Sequence, residues 1–373
     1  MRVLLVTTIE RGGPVEHARL LARELVAAGA EVRAVTGSVA GAEAFAAAGA
    51  DAVVVASRSP FAATGPARVH RLGRDVDVVH SHDRRGGLWT LGPPRPRRGP
   101  ARVHTLHGLP DAYLPLPDRP ARPSRRDDLA YRVVEARLVG RADALLLPSR
   151  ASLALASRLG YRTARAVVVP NGVDTGRGDG EGGGAGAAGA RPLGPDVGVL
   201  AVLEPVKGVD VFLAAAARLH ADDPTLRFAI FGDGSQRPAL EECSARAGLA
   251  GVVRFAGHVP AEVALAQLRV LVVSSHFESG PLAMLEGMAA GVPVVATRVG
   301  GIPEAAPEEA LVLVPPNDPA ALADAIGATV RDPGAAAARA ARARAHVVAQ
   351  RSAAGMATAT EAVYRGALDR RGR

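Results

Sequence analysis

The chain is poor in cysteine, lysine and aromatic residues. Its single cysteine, Cys243, excludes an internal disulfide framework and a thiolate-rich metal site, and it reads as a buried or half-buried small residue. Aromatics make up 3% of the 373 residues, and no nucleic-acid recognition motif is present, so no nucleic-acid partner is expected. No apolar run approaches the roughly 20 residues that span a bilayer. The apolar stretch Val3–Ile9 is too short, and too soon followed by Arg11, for a signal peptide. These absences together predict a cytoplasmic protein.

What is present is size, apolar content and arginine. Length favours two domains over one, and 48% hydrophobic residues suffice for a sizeable core. Of the 45 basic residues, 44 are Arg and one is Lys207. A site needing a compact point charge rather than a planar fork would explain the one ammonium kept among so many guanidinium groups, and so would chance survival. The net charge of +8 divides unevenly: residues 1–170 hold 26 Arg against 15 acids (+11), and the rest hold 19 basic residues against 22 acids (−3). A basic N-terminal half fits an anionic partner, such as a phosphorylated acceptor or anionic lipid, as well as a solvated surface.

Strand and helix patterns alternate through both halves. Arg2–Thr8 is a continuous β-rich run of the kind buried in parallel sheets, and Val15–Ala28 has helical periodicity ended by Gly29. Short strands are predicted at 31–36, 52–56, 76–80, 102–106, 144–147 and 166–169. Residues 176–196 are rich in Gly and Ala, lack an apolar period and read as a linker. Alternation resumes from Val197, and the end, Ala335–Arg370, is predicted to be helical. The fold class is α/β, two Rossmann-like doubly wound domains facing a cleft. Their predicted spans are 1–175 and 197–350, with a C-terminal helix, 351–373, packing back on the first domain. Ligands of such sheets sit at the carboxyl ends of strands, and the distinctive motifs follow strands.

The most specific motif is SSHFESGPLAMLEGMAAGVPVVATRVGGIPE, which begins at Ser274. A strand ends near Ser274, and Pro281 suits a first helical position. Glu278 then lies in the loop and Glu286 about one turn into the helix. The free N–H groups of a helix start receive an anion, and acids on either side of it make sense if they grip hydroxyls. The same spacing also fits one acid set against the helix dipole and one in solvent. Gly12-Gly13 lies between a strand and a helix, where a missing Cβ permits close approach or simply a tight turn. His107 follows a buried strand and precedes Gly108. His80 and His82 could be metal ligands with Asp83, but the spacing is equally that of ordinary loop polar groups. Asp75-Val76-Asp77 opens an apolar strand and reads as a strand cap.

The segment from Glu278 to Glu304 resembles the two-glutamate motif of retaining glycosyltransferases of the GT-B fold, glycosyltransferase family 4. The resemblance extends to RGGPVEH (11–17), HTLHG (104–108), PNGVD (170–174), EPVKG (204–208), FGDGS (231–235) and VPPNDP (314–319). It implies a catalytic set of His107, Glu278 and Lys207. His107 would lie against the anomeric centre, Glu278 on the transferred sugar and Lys207 on the donor phosphates. It implies that Glu286 binds the ribose, that the backbone of Gly280, Pro281 and Leu282 cradles phosphate and sugar, and that Gly12 and Gly13 let the first loop approach the phosphates. Val259 falls in the loop near the base. No metal and no cofactor beyond the nucleotide-sugar co-substrate is implied. The partners implied are a nucleotide-sugar donor and a sugar, lipid-linked or small-molecule hydroxyl acceptor.

One position departs from the family pattern. The Arg usually found five residues before the Lys of the KG loop is Val202 here, and no Arg occurs between Arg191 and Arg218. Losing a charge-assisted phosphate contact costs about 1.5–3 kcal/mol, unless a residue such as Arg11 substitutes. That departure keeps a weakly active or purely nucleotide-sugar-binding protein as an alternative, beside a nucleotide-sugar epimerase of the same fold. The Arg-rich loop RPARPSRR, 119–126, fits an anionic surface such as the inner face of the cell membrane.

Overall fold

The computed structural model describes residues 1–10, 12–55, 64–92, 99–110, 113–114, 116, 124–176 and 196–372. Arg11, most of the RPARPSRR loop and the Gly/Ala-rich stretch 177–195 lie outside the described residues. The chain forms two compact units: Met1–Ala112, Pro123–Gly172 and Ala353–Arg373 make the first, and Tyr113–Arg122 with Val173–Ser352 the second.

The first unit is built on a seven-stranded parallel sheet. Its strands are β1 (Arg2–Val6), β2 (Glu31–Thr36), β3 (Asp51–Val54), β4 (Val78–Ser81), β5 (Ala101–Thr105), β6 (Ala144–Leu147) and β7 (Ala166–Val168), in the order β3-β2-β1-β4-β5-β6-β7. β1 pairs Val3 with Val32 on one side and Val78 on the other. Both faces of the sheet are covered, which is why these strands read as continuous apolar runs instead of alternating ones. Val3 and Leu5 join the cluster holding Leu20, Leu21 and Leu25 of the Gly13–Ala27 helix, whereas Leu4 and Val6 join the opposite cluster around Trp89.

The second unit repeats the plan with six strands: β8 (Val197–Leu200), β9 (Phe228–Phe231), β10 (Val253–Gly257), β11 (Val270–Val273), β12 (Val294–Thr297) and β13 (Val312–Val314). Their order is β10-β9-β8-β11-β12-β13, all parallel. Val270 and Val272 of β11 enter one core cluster with Phe212 and Phe228, and Leu271 and Val273 enter the other with Met284 and Leu285.

The helical end predicted over 335–370 is two helices, Pro333–Gln350 and Ala353–Asp369, separated at Arg351–Ser352. The first buries Ala343 and Val347 in the second unit's core, and the other buries Met356, Ala357 and Tyr364 in the first unit's core. Alanine-rich composition alone does not reveal that break, because both segments are good helix formers. Among the described residues no helix is long and apolar enough to cross a membrane.

Each sheet has one place where strand order reverses. In the first it lies between β1 and β4, and in the second between β8 and β11. The loops leaving those strands diverge to opposite faces and open a crevice in which α/β proteins hold ligands.

Candidate active site

In the second unit the loops after β8 and β11 carry Lys207 and Glu278. Lys207 ends a short turn of 3-10 helix, Pro205–Lys207, and is followed by Gly208 with φ 56°. A Cβ at Gly208 would collide with the Ser274 carbonyl oxygen, so glycine lets the β8 loop press against the end of β11. The two loops are then tied together. His276 N–H donates to the Val206 carbonyl at 2.8 Å, and Ser274 Oγ donates to the Lys207 carbonyl at 3.2 Å.

Within that frame Lys207 Nζ donates to Glu278 Oε1 at 2.7 Å, and Ser275 Oγ donates to the same oxygen at 2.8 Å. The Glu278 side chain keeps 10% of its exposure and Lys207 27%. Lys207 and Glu278 thus form an enclosed ion pair, and removing either partner would leave the other's charge uncompensated. The backbone of Glu278 is held from behind: its carbonyl accepts the Gly301 N–H at 2.7 Å, and a side chain at Gly300 would run into the same oxygen. The glycine pair of the sequence motif therefore positions Glu278.

Pro281 precedes the Leu282–Ala289 helix, which starts without any side-chain cap. Its first N–H groups are left to a ligand or to water. Glu286 is half-buried in the second turn of this helix, while Met284, Leu285 and Met288 anchor the opposite side in the core. Val259 leaves β10, two strands from β8, and leans on the core cluster of β11. Val202 is 43% exposed in the β8 loop that carries Lys207.

The first unit gathers histidines at the same edge of its sheet. Gly12, with φ 102°, begins the Gly13–Ala27 helix, and the space in front of Gly13 is open. One turn on, His17 is buried with its Nδ1 3.1 Å from Asn171 Oδ1. His82 follows β4, and its Nδ1 is 3.3 Å from Nε2 of half-buried His107, which follows β5. His80 is satisfied on both nitrogens, by Tyr364 at 2.6 Å and Thr105 at 2.7 Å. His104 Nδ1 meets Ser81 Oγ at 2.9 Å. Burial pushes the imidazoles of His17 and His104 down to about 4, and burial with mutual repulsion holds His80, His82 and His107 well below the usual histidine range. All five rings are neutral near pH 7.

The other acids considered in the sequence have structural partners. Asp83 accepts the Gly86 N–H at 2.8 Å and the Thr8 hydroxyl at 2.7 Å, capping a helix. Asp77 accepts the Arg2 N–H at 2.8 Å, and Asp75 pairs with Arg33. Sequence reasoning missed His17 as a site group, and it missed Ser275 and Asn171 as partners. The signal for His17 was its place four residues after Gly13, on the helix face that looks back over the strand ends.

The description "Glycosyltransferase Family 4" matches residues 11–177, and "Glycosyl transferases group 1" matches residues 194–332. A D-inositol 3-phosphate glycosyltransferase of Geodermatophilus obscurus is 35% identical over 68% of this chain and 59% of its own length. A glycogen synthase of Mycobacterium tuberculosis is 31% identical over 80% of this chain and 71% of its own length. The match thus covers less than two thirds of the D-inositol 3-phosphate glycosyltransferase. Among solved structures, Anabaena HepE in complex with UDP and glucose superposes with a TM-score of 0.79 at 18% identity, covering 98% of this chain and 99% of that one. Sucrose-phosphate synthase from Thermosynechococcus elongatus gives 0.76 at 21%, covering 98% of each. The two-domain fold expected from the sequence is the fold these proteins share.

Proposed function

The chain belongs to glycosyltransferase family 4, and from that membership we propose that it transfers a sugar, with retained anomeric configuration, from a nucleotide-sugar donor to a hydroxyl acceptor. The observation that carries this reading is the Lys207–Glu278 pair at the strand-order reversal of the second unit, beside a helix start without a side-chain cap. An ammonium has three protons. Lys207 spends one on Glu278 and can turn the others to a diphosphate. The start of the Leu282–Ala289 helix, reached through Gly280 and Pro281, supplies further N–H donors.

Glu278 Oε1 is saturated by Lys207 and Ser275, so Oε2 is the oxygen offered to a sugar hydroxyl. Glu286 is assigned to the ribose, Val259 to the base, Gly12 and Gly13 to the phosphates and His107 to the transferred sugar. A neutral imidazole at that last position receives or donates a hydrogen bond without adding charge. Catalysis is then chiefly positioning, plus stabilisation of the charge on the departing diphosphate. The departing phosphate takes the acceptor proton as the new glycosidic bond forms on the same face. Lys207 performs the neutralisation, so no metal is assigned to the step. The basic N-terminal half suits a phosphorylated hydroxyl acceptor, and the relative named for D-inositol 3-phosphate supports including that compound among the candidates. The reaction is placed in the cytoplasm, where nucleotide sugars are the donors.

The test is release of nucleoside diphosphate from UDP-, GDP- and ADP-sugars with a panel of hydroxyl acceptors, with and without EDTA. One donor should turn over, EDTA should not lower the rate, and Lys207→Ala should lower it by roughly 10²–10³. The exposed Val202 in the Lys207 loop favours a second reading, a binding protein without turnover. Donor binding with no product over long incubation would establish that instead, and release of an altered free sugar without acceptor would mark an epimerase.

A further inference from the structure

Five of the ten histidines, His17, His80, His82, His104 and His107, sit together in the first unit. Hydrogen bonds account for His80 and for the Ser81-facing nitrogen of His104. The other three have fewer partners: His17 meets Asn171, and His82 and His107 meet each other. We propose that His17, His82 and His107 form a binding site for one borderline transition-metal ion, of which Zn²⁺ is the type.

One nitrogen from each ring lies within 4.8 Å of the other two. His82 Nδ1 and His107 Nε2 are 3.3 Å apart, close to the roughly 3.4 Å between two nitrogens on a tetrahedral ion with bonds of about 2.1 Å. An amide oxygen only accepts, so Asn171 Oδ1 keeps the His17 proton on Nδ1 and leaves a lone pair on Nε2. That Nε2 is fully buried and has no hydrogen-bond partner. Buried polar atoms are nearly always paired, and an orphaned imidazole nitrogen beside two further imidazoles marks a place for a ligand. A histidine whose other nitrogen donates to a carbonyl oxygen is the usual form of a metal ligand held in position.

Among the described residues the cluster contains no carboxylate, because nearby Asp83 is committed to Thr8 and Gly86. Three imidazoles suit Zn²⁺, Co²⁺, Ni²⁺ or Cu²⁺ and not Mg²⁺ or Ca²⁺. One consequence rests on the function proposed above: an ion on His107 withholds that ring from the transferred sugar, so occupancy inhibits turnover. The binding itself does not depend on that function.

Equilibrium dialysis of the untagged full-length chain against Zn²⁺ should give one ion per chain that excess Mg²⁺ does not displace. Asn171→Leu, which leaves all three rings in place, should weaken Zn²⁺ binding by roughly 10–100-fold. His17→Gln should abolish the stoichiometric site. In ¹⁵N spectra of the wild type, Zn²⁺ should move the ring nitrogens of His17, His82 and His107 and leave those of His70, His220, His258 and His346 in place. Absence of stoichiometric binding, unchanged binding in Asn171→Leu, or shifts confined to histidines outside the cluster would overturn the proposal. The spectra are read on the wild type and decide the matter even if a variant fails to fold. Zn²⁺ binding without inhibition would leave the site intact and count against the role of His107 in transfer.

Discussion

The two units solve one architectural problem with opposite electrostatics. Each has a parallel sheet whose strand order reverses once, and each crowds polar groups onto the carboxyl ends of the strands beside that reversal. The first unit places uncharged imidazoles there, held neutral by burial. The second places an ammonium against a carboxylate and leaves a helix start without a side-chain cap. The contrast teaches that the shared fold fixes where a ligand goes but not its charge. A site of neutral donors and acceptors suits a sugar or a metal ion, and a site with a fixed cation suits a phosphate. The charge imbalance of the sequence runs the other way, since the basic residues concentrate in the first half. Net charge and site charge are therefore separate properties.

The sharpest way to break this comparison is to remove the second unit's charge. Lys207→Met leaves Glu278 with Ser275 alone, in a position where only 10% of its side chain is exposed. Turnover should fall by roughly 10²–10³, with a drop in melting temperature from the unpaired acid. Lys207→Arg should not restore the rate, because a planar fork does not replace a compact ammonium. Steady-state kinetics and thermal denaturation check both. Next in size is Gly300→Ala, whose new methyl meets the Glu278 carbonyl at a backbone φ of 50°. Strain of about 1–3 kcal/mol should appear as lost stability and a lower kcat. Gly13→Ala, with open space before it, should change stability by no more than about 0.5 kcal/mol.

Much of the second unit's site is legible in the sequence. The spacing of Glu278, Pro281 and Glu286 announced a strand, a turn and a helix start, and the only lysine stood out by composition. What the sequence hid there was that Lys207 and Glu278 touch, since their separation of 71 positions is closed by strand order. The first unit was less legible. His107 could be singled out by its place after a strand, but His17, His82 and Asn171 come together only through pairing of β1, β4 and β5 and the return of the chain at PNGVD. Histidine also has no periodic signature, since a ring satisfied by Thr105 and an orphaned one are the same letter. The break between the last two helices was hidden because Arg351 and Ser352 lie in a run of good helix formers.

Two smaller effects sharpen the contrast. Val202→Arg returns a cation to the Lys207 loop at a position already 43% exposed. It should tighten donor binding by roughly tenfold, at the low end of a charge-assisted bond, and titration calorimetry reads it directly. In the first unit, His104 is held down to about 4 chiefly by burial, with Arg84 adding to the effect and Asp83 and its bond to Ser81 opposing it. Its folded value lies below its unfolded value of about 6.5. The unfolded chain therefore binds the extra proton first, and stability falls as pH drops from about 6.5 toward 4. Each buried histidine of this kind contributes roughly 1 kcal/mol per pH unit over that window. His104→Gln should flatten the pH dependence of unfolding by that share, and an unchanged slope would show that the ring is not held neutral.

The central claim is that the second unit grips a nucleoside diphosphate through Lys207 at the phosphates and Glu286 at the ribose. Titration calorimetry of the preferred nucleoside diphosphate and its bare nucleoside, against wild type, Lys207→Ala and Glu286→Ala, tests it directly. Lys207→Ala should weaken the diphosphate by roughly 10–100-fold and leave the nucleoside unchanged, whereas Glu286→Ala should weaken both. Equal losses for the two ligands on removing Lys207, or none, would contradict it.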